Sequence, residues 1–163
     1  MHTVLFICTA NVCRSPLAAA LLRERVKDSA QDWRIESAGT WALEGYPMVS
    51  KVEQVLNERG VPIPPHRSRK VTAELLQQFQ LILTMEEGHK EALRFEFPEA
   101  ASRIYMLSEM INQRFNVPDP MGKSYREYKI TAQELDRVIE KGLEKISQLS
   151  QSEGPSLYVP KVE

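Results

Sequence analysis

Three observations predict an α/β fold built on a parallel sheet. Strand-like and helix-like segments alternate along the chain. The first strand, residues 2–8, reads as buried on both faces, as strands of parallel sheets are. No repeat and no linker divides the 163 residues, which points to one domain over 1–150 and a loosely held polar tail over 151–163. Ligands of such sheets bind beyond the carboxyl ends of strands, near a topological switch point. The segment after Cys8 lies at such an end.

The elements follow in order. Val4 to Ile7 is a short apolar run ending at Cys8. Pro16 suits a first helical turn, and Leu17, Leu21, Leu22 and Val26 then recur at helical spacing over 16–28. Trp33 to Ser37 has strand character and leads into an Ala38-Gly39 turn. Thr40 to Pro47 is a loop carrying Trp41 and Tyr46. A helix over 48–59 is closed by Gly60. Val61 to Arg69 is proline-rich, extended and basic. A short helix begins around Thr72. Strands over 79–83 and 103–107 flank a helix over 86–95. Pro118 and Pro120 make 116–128 a long loop. The clearest helix spans 130–148, with Thr131 as its N-cap.

Composition excludes several classes. Net charge is −1 with no long basic run, so nucleic acid is not an expected partner. No segment approaches the roughly 20 apolar residues that span a bilayer, and the N-terminus lacks signal-peptide character. No membrane association and a cytoplasmic location are expected. Two cysteines, Cys8 and Cys13, are too few for a disulfide scaffold.

Both cysteines fall in Cys8-Thr-Ala-Asn-Val-Cys-Arg-Ser-Pro16, between strand and helix. Three readings of this loop compete. One is a buried structural cysteine beside a structural arginine. A second is a metal site. It is disfavoured, because the only other candidate imidazoles are His2, His66 and His89, without partner spacing. The third is phosphoryl transfer. Successive N–H groups of Thr9, Ala10, Asn11, Val12, Cys13, Arg14 and Ser15 at a helix start form an anion cradle. Arg14 can grip two phosphate oxygens. The same field favours a thiolate at Cys8, and Ser15 can donate a hydrogen bond to it. Asn11 tolerates left-handed backbone angles and can tie the loop to other segments.

An ester leaving group also needs a proton from a general acid. Asp119, between two prolines, is the candidate. Taken alone it reads equally well as a turn aspartate; the Cys8 loop shifts the balance to catalysis.

The loop Cys8-Thr-Ala-Asn11-Val-Cys13-Arg14-Ser15-Pro16, with Asp119-Pro120 late in the chain, resembles the low-molecular-weight protein tyrosine phosphatases. The likeness runs over about residues 2–148, and Ser37-Ala-Gly-Thr40 and His66-Arg-Ser-Arg69 fall in the expected order. It implies a three-layer sandwich with a four-stranded parallel sheet, flavodoxin-like in outline. It implies Cys8 as nucleophile, Arg14 as phosphate clamp and Asp119 as acid then base. Asn11, Ser15, Ser37 and His66 become a supporting network, although His66 by itself reads as an ordinary satisfied histidine. Cys13 resembles the neighbour that pairs reversibly with Cys8 under oxidation. The implied substrate is a phosphotyrosine protein, the product inorganic phosphate, and no cofactor is required. Oligomeric state is open.

This chain departs from the pattern in places. Ala10 stands where many relatives carry glycine, and alanine resists positive φ. Met121-Gly122 follows Asp119-Pro120 where many relatives have aromatics, with Tyr125 and Tyr128 further on. Trp41 is either a pocket wall or ordinary packing. Among sister activities, arginine phosphatases carry threonine where Val12 stands, which favours phosphotyrosine. Arsenate reductases need later cysteines, and none follows Cys13. A phosphate-binding module without catalysis is the rival from another class. Cys8, Arg14 and Asp119 together count against it.

Overall fold

The computed structural model describes residues 1–152. Four strands, β1 (His2–Cys8), β2 (Trp33–Gly39), β3 (Leu81–Thr84) and β4 (Ile104–Met106), form one sheet in the order β2-β1-β3-β4. All three pairings are parallel. Successive β1 side chains enter opposite cores, as the two-residue strand period demands. Val4 and Phe6 pack with α1 (Arg14–Val26), α2 (Ser50–Glu58) and α5 (Tyr125–Ser150). Leu5 and Ile7 pack with α3 (Ala73–Leu76) and α4 (Glu87–Glu96). The result is the expected three-layer α/β sandwich.

The chain leaves β1 for β2 on one side, then returns to β3 on the other. The carboxyl end of β1 is therefore the switch point, and Cys8 is its last residue. Helix α1 follows after five residues, with Pro16 in its first turn.

Three sequence expectations are corrected. β2 does not turn at Ala38-Gly39; it continues through both, pairing Ile7 with Ala38 and Cys8 with Gly39. Gly39 is instead required by close approach, because a Cβ there would run into the Thr9 carbonyl oxygen and the Ala42 methyl. The loop after Asn116 is shorter than expected, since α5 begins at Tyr125. The two prolines restrict only their own surroundings, and past Gly122, at φ +76°, nothing opposes helix. Thr131 accordingly lies inside α5, where its hydroxyl donates to the Glu127 carbonyl at 2.9 Å; Ser124 occupies the N-cap position. Thr72 does cap α3, accepting from the Leu75 N–H at 3.1 Å.

The tail expected over 151–163 falls mostly outside the described residues. Gln151 bridges to His2, and the Ser152 N–H donates to the Met1 carbonyl at 3.2 Å. Among the described residues no helix is long and apolar enough to cross a membrane.

Candidate active site

The loop between β1 and α1 is held by its own side chains and by three other segments. Asn11 sits at its centre with φ +59°, the left-handed conformation its sequence position allowed. Ala10 is not among the residues with positive φ, so alanine in place of glycine carries no backbone strain there. The Asn11 amide donates to the hydroxyls of Ser15 and Ser37, both at 2.9 Å. Its Oδ1 accepts from the Arg69 N–H at 3.0 Å. The His66 Nε2–H donates to the Asn11 carbonyl at 2.7 Å. Asn11 thus spends its polar groups joining α1, β2 and the 66–69 segment.

The 40–47 loop braces the same region. Thr40 and Trp41 donate backbone N–H groups to the carbonyls of Cys8 and Thr9, both at 2.9 Å. The Trp41 side chain itself is 81% exposed. Val49, before α2, donates to the Val12 carbonyl at 2.9 Å. The Val12 side chain borders a shallow groove of about 530 Å³, lined chiefly by Tyr46, Pro47, Met48 and Val49.

The Cys8 Sγ lies 3.0 Å from the Ser15 Oγ. Ser15 accepts from Asn11, and its own proton can reach the sulfur at 3.0 Å or the more distant Ala38 carbonyl at 3.4 Å. Cys13 is also a buried free thiol. Burial, and then the neighbouring Cys8, push the Cys13 thiol far above its ordinary range.

Arg14 is only 2% exposed, at the first turn of α1. Its Nη1 donates to the Glu86 carboxylate and to the Val117 carbonyl, each at 2.8 Å. Its Nη2 lies 3.4 Å from the Thr9 hydroxyl and 3.7 Å from the Asp119 Oδ2. One edge of the guanidinium is occupied. The other faces the loop and Asp119.

Asp119 makes the contact of a turn aspartate and also faces Arg14. Oδ1 accepts from the Met121 N–H at 3.1 Å, the turn role, while Oδ2 faces Arg14. The loop is anchored by Val117, whose N–H donates to the Met85 carbonyl at 2.8 Å while its own carbonyl receives Arg14. Asn116 adds a bond from the Glu87 N–H at 2.8 Å. Tyr128 is buried, and its hydroxyl donates to the Met121 sulfur at 3.4 Å. It supports the loop from beneath.

Cys8, Asn11, Cys13, Arg14, Ser15, Ser37, His66 and Asp119 meet at this strand end; the Trp41 side chain is exposed, and His2 lies at the other end of β1. Three partners were not anticipated: Glu86, His89 and Val117. Glu86 and His89 follow the carboxyl end of β3, next to β1, and strand-end position was the signal that could have found them. Among the described residues no group of three or more His, Cys, Asp and Glu side chains converges as a metal site requires.

A cysteine-arginine loop at the switch point of a parallel sheet, faced by a carboxylate, defines a phosphate-handling α/β protein. The family model for low molecular weight phosphotyrosine protein phosphatase matches residues 3–152, and the chain belongs to that family of hydrolases. A probable low molecular weight protein-tyrosine-phosphatase, EpsP, of Ralstonia nicotianae is 31% identical over 144 residues, covering 88% of this chain and 92% of the relative. A protein-arginine-phosphatase of Geobacillus stearothermophilus is 32% identical over 146 residues, covering 89% and 96%. The crystal structure of a low molecular weight protein tyrosine phosphatase from T. tengcongensis has a TM-score of 0.84 at 38% identity. It is covered over 99% of its length by 89% of this chain. The family acts on phosphoproteins and releases phosphate.

Proposed function

We propose that this protein hydrolyses protein phosphotyrosine through a cysteinyl-phosphate on Cys8. The phosphoryl group lies on the N–H groups of residues 9–15, above the start of α1. Arg14, with Nη1 engaged by Glu86 and Val117, presents Nη2 and Nε to two phosphoryl oxygens. The Cys8 thiolate attacks phosphorus as the phosphorus–phenol oxygen bond breaks, and Asp119 gives its proton to the leaving oxygen. Asp119 then takes a proton from water as that water attacks phosphorus. The sulfur–phosphorus bond breaks and phosphate leaves. Ser15 donates to the sulfur whenever it is a thiolate. Asn11, Ser37 and His66 hold the loop.

The observation that carries this reading is the position of Arg14. It is buried and fixed on one edge, and its other edge faces Asp119 across the mouth of the Cys8 loop. Aryl-phosphate turnover in excess chelator is the test. Wild type is expected to turn over many times and Cys8→Ser not at all. An active Cys8→Ser, an absolute metal requirement, or a single stoichiometric release of phosphate overturns it.

One observation favours a second substrate, phosphoarginine, since a relative of equal similarity is an arginine phosphatase. Val12 and the apolar Tyr46, Pro47, Met48 and Val49 beside it favour the phenyl ring, while Ser50 and Glu53 line the same groove and are the groups that a guanidinium would pair with. Parallel turnover of phosphotyrosine and phosphoarginine peptides decides between them, with phosphotyrosine expected to be faster.

The same reading gives Cys13 a redox role. Peroxide would oxidise the Cys8 thiolate to a sulfenic acid, releasing water. The Cys13 thiol would then condense with it to a disulfide, releasing a second water. Loss of two titratable thiols per chain, restored by reductant together with activity, is the expected result.

A further inference from the structure

Four side chains close a ring around Arg14. Arg14 Nη1 donates to the Glu86 Oε2 at 2.8 Å. The same oxygen lies 3.4 Å from the His89 Nε2. His89 Nε2 is 2.9 Å from the Thr9 Oγ1, and Thr9 Oγ1 is 3.4 Å from Arg14 Nη2. His89 is buried, and its Nδ1 has no hydrogen-bond partner.

Counting protons assigns the ring. Nε2 faces two oxygens, one of them a carboxylate. A lone pair at Nε2 would be repelled by Glu86, and the proton would be stranded on the buried, unpartnered Nδ1. The favoured tautomer carries hydrogen on Nε2. Burial, reinforced by Arg14 against the pull of Glu86 and Asp119, keeps the imidazole neutral. His89 therefore donates to Thr9 at 2.9 Å, with the Glu86 carboxylate beside it at 3.4 Å. Arg14 has only donors. Both neighbours of the Thr9 oxygen are thus donors, and its own proton has no acceptor inside the ring. Thr9 is half-buried and sits by Arg14 Nη2, the same corner of the guanidinium that faces Asp119.

We propose that the Thr9 hydroxyl is a further catalytic group, a hydrogen-bond donor to a phosphoryl oxygen, and that His89 is the positioning residue that turns it there. This rests on the reading of Cys8 and Arg14 given above. With its lone pairs occupied by His89 and Arg14, the hydroxyl meets the oxyanion without first breaking a bond of its own. That is the preorganisation from which electrostatic stabilisation derives its size. Glu86 serves both partners, fixing the Arg14 edge and the His89 tautomer together.

Four variants test it: Thr9→Val, Thr9→Ser, His89→Leu and the double Thr9→Val/His89→Leu. Thr9→Val is isosteric and lacks only the hydroxyl. It is expected to lower kcat about tenfold or more, the usual scale for a hydrogen bond to a charged group. Thr9→Ser is expected to recover most of that loss. His89→Leu is expected to fall by a similar factor, and the double variant by no more than either single one, since both act through one proton. Thermal unfolding of each variant separates folding from chemistry, and His89→Gln, which restores a donor, is expected to regain part of the rate. A Thr9→Val enzyme with wild-type kcat overturns the proposal. So do multiplicative losses in the double variant. If Cys8→Ser is inactive while Thr9→Val is unimpaired, only the Thr9 role fails; an active Cys8→Ser removes the reading beneath it.

Discussion

The Asn11 amide donates to the Ser37 hydroxyl at 2.9 Å, across 26 residues of sequence, and fastens the loop after β1 to the end of β2. Ser15 receives the other amide proton at the same distance. The loop that holds Cys8 is therefore built from outside as much as from within.

Removing this bridge is expected to be costly. Asn11→Ala leaves Ser15, Ser37 and the Arg69 N–H without their partner and places alanine at positive φ. A loss of about 2–4 kcal/mol in urea unfolding is expected, together with a fall in kcat. Asn11→Gly suits the backbone angle and is expected to be the less destabilised of the two. A stable, fully active Asn11→Ala would show that the loop holds itself.

Gly39 is expected to admit no side chain. A Cβ would overlap the Thr9 carbonyl and lie 2.9 Å from the Ala42 methyl carbon. Gly39→Ala must displace the Cys8 loop or the end of β2, at a cost of about 1–3 kcal/mol. Activity is expected to fall further than stability, because the displaced atoms belong to the proposed phosphate cradle. Phosphate or vanadate affinity, measured beside thermal unfolding, checks this.

Asp119→Asn separates acid catalysis from loop structure. Asparagine keeps the Oδ1 contact to the Met121 N–H but cannot supply a proton. Aryl phosphates with poor leaving groups are expected to slow by about 10²-fold or more. Nitrophenyl esters are expected to slow much less. An equal effect across the leaving-group series argues against the acid role.

His66 predicts a pH dependence. Burial lowers its pKa from the ordinary 6.5; the bond to the Asn11 carbonyl opposes this, and Arg23, Arg69 and Arg67 add to the lowering. Because the folded value is depressed, its contribution is complete above about pH 6.5 and is lost as pH falls through the folded value. The stability gap between wild type and His66→Gln is expected to be constant above neutrality and to shrink on acidification. A gap that is flat with pH would place no titration at His66.

The candidate site was legible where its residues are local. Cys8, Arg14 and Ser15 share one loop between a strand and a proline-led helix, the arrangement that pointed to an anion site. Asp119 was singled out only by the need for a proton donor, and its bond to the Met121 N–H shows why the turn reading was equally good. Glu86 and His89 were not recognised. Their place after β3 marks a strand end, but only the pairing of β3 beside β1 brings them to Arg14.

The sequence by itself determined the layers, the switch point and the strand-to-helix loop that carries Cys8 and Arg14, because side-chain periodicity and strand-to-helix punctuation are short-range properties. Tertiary structure alone decided which edge of Arg14 is free, why Gly39 is glycine, where α5 begins and which partners face Thr9. Those depend on contacts between residues far apart in the chain, and no local pattern encodes a distance between strands.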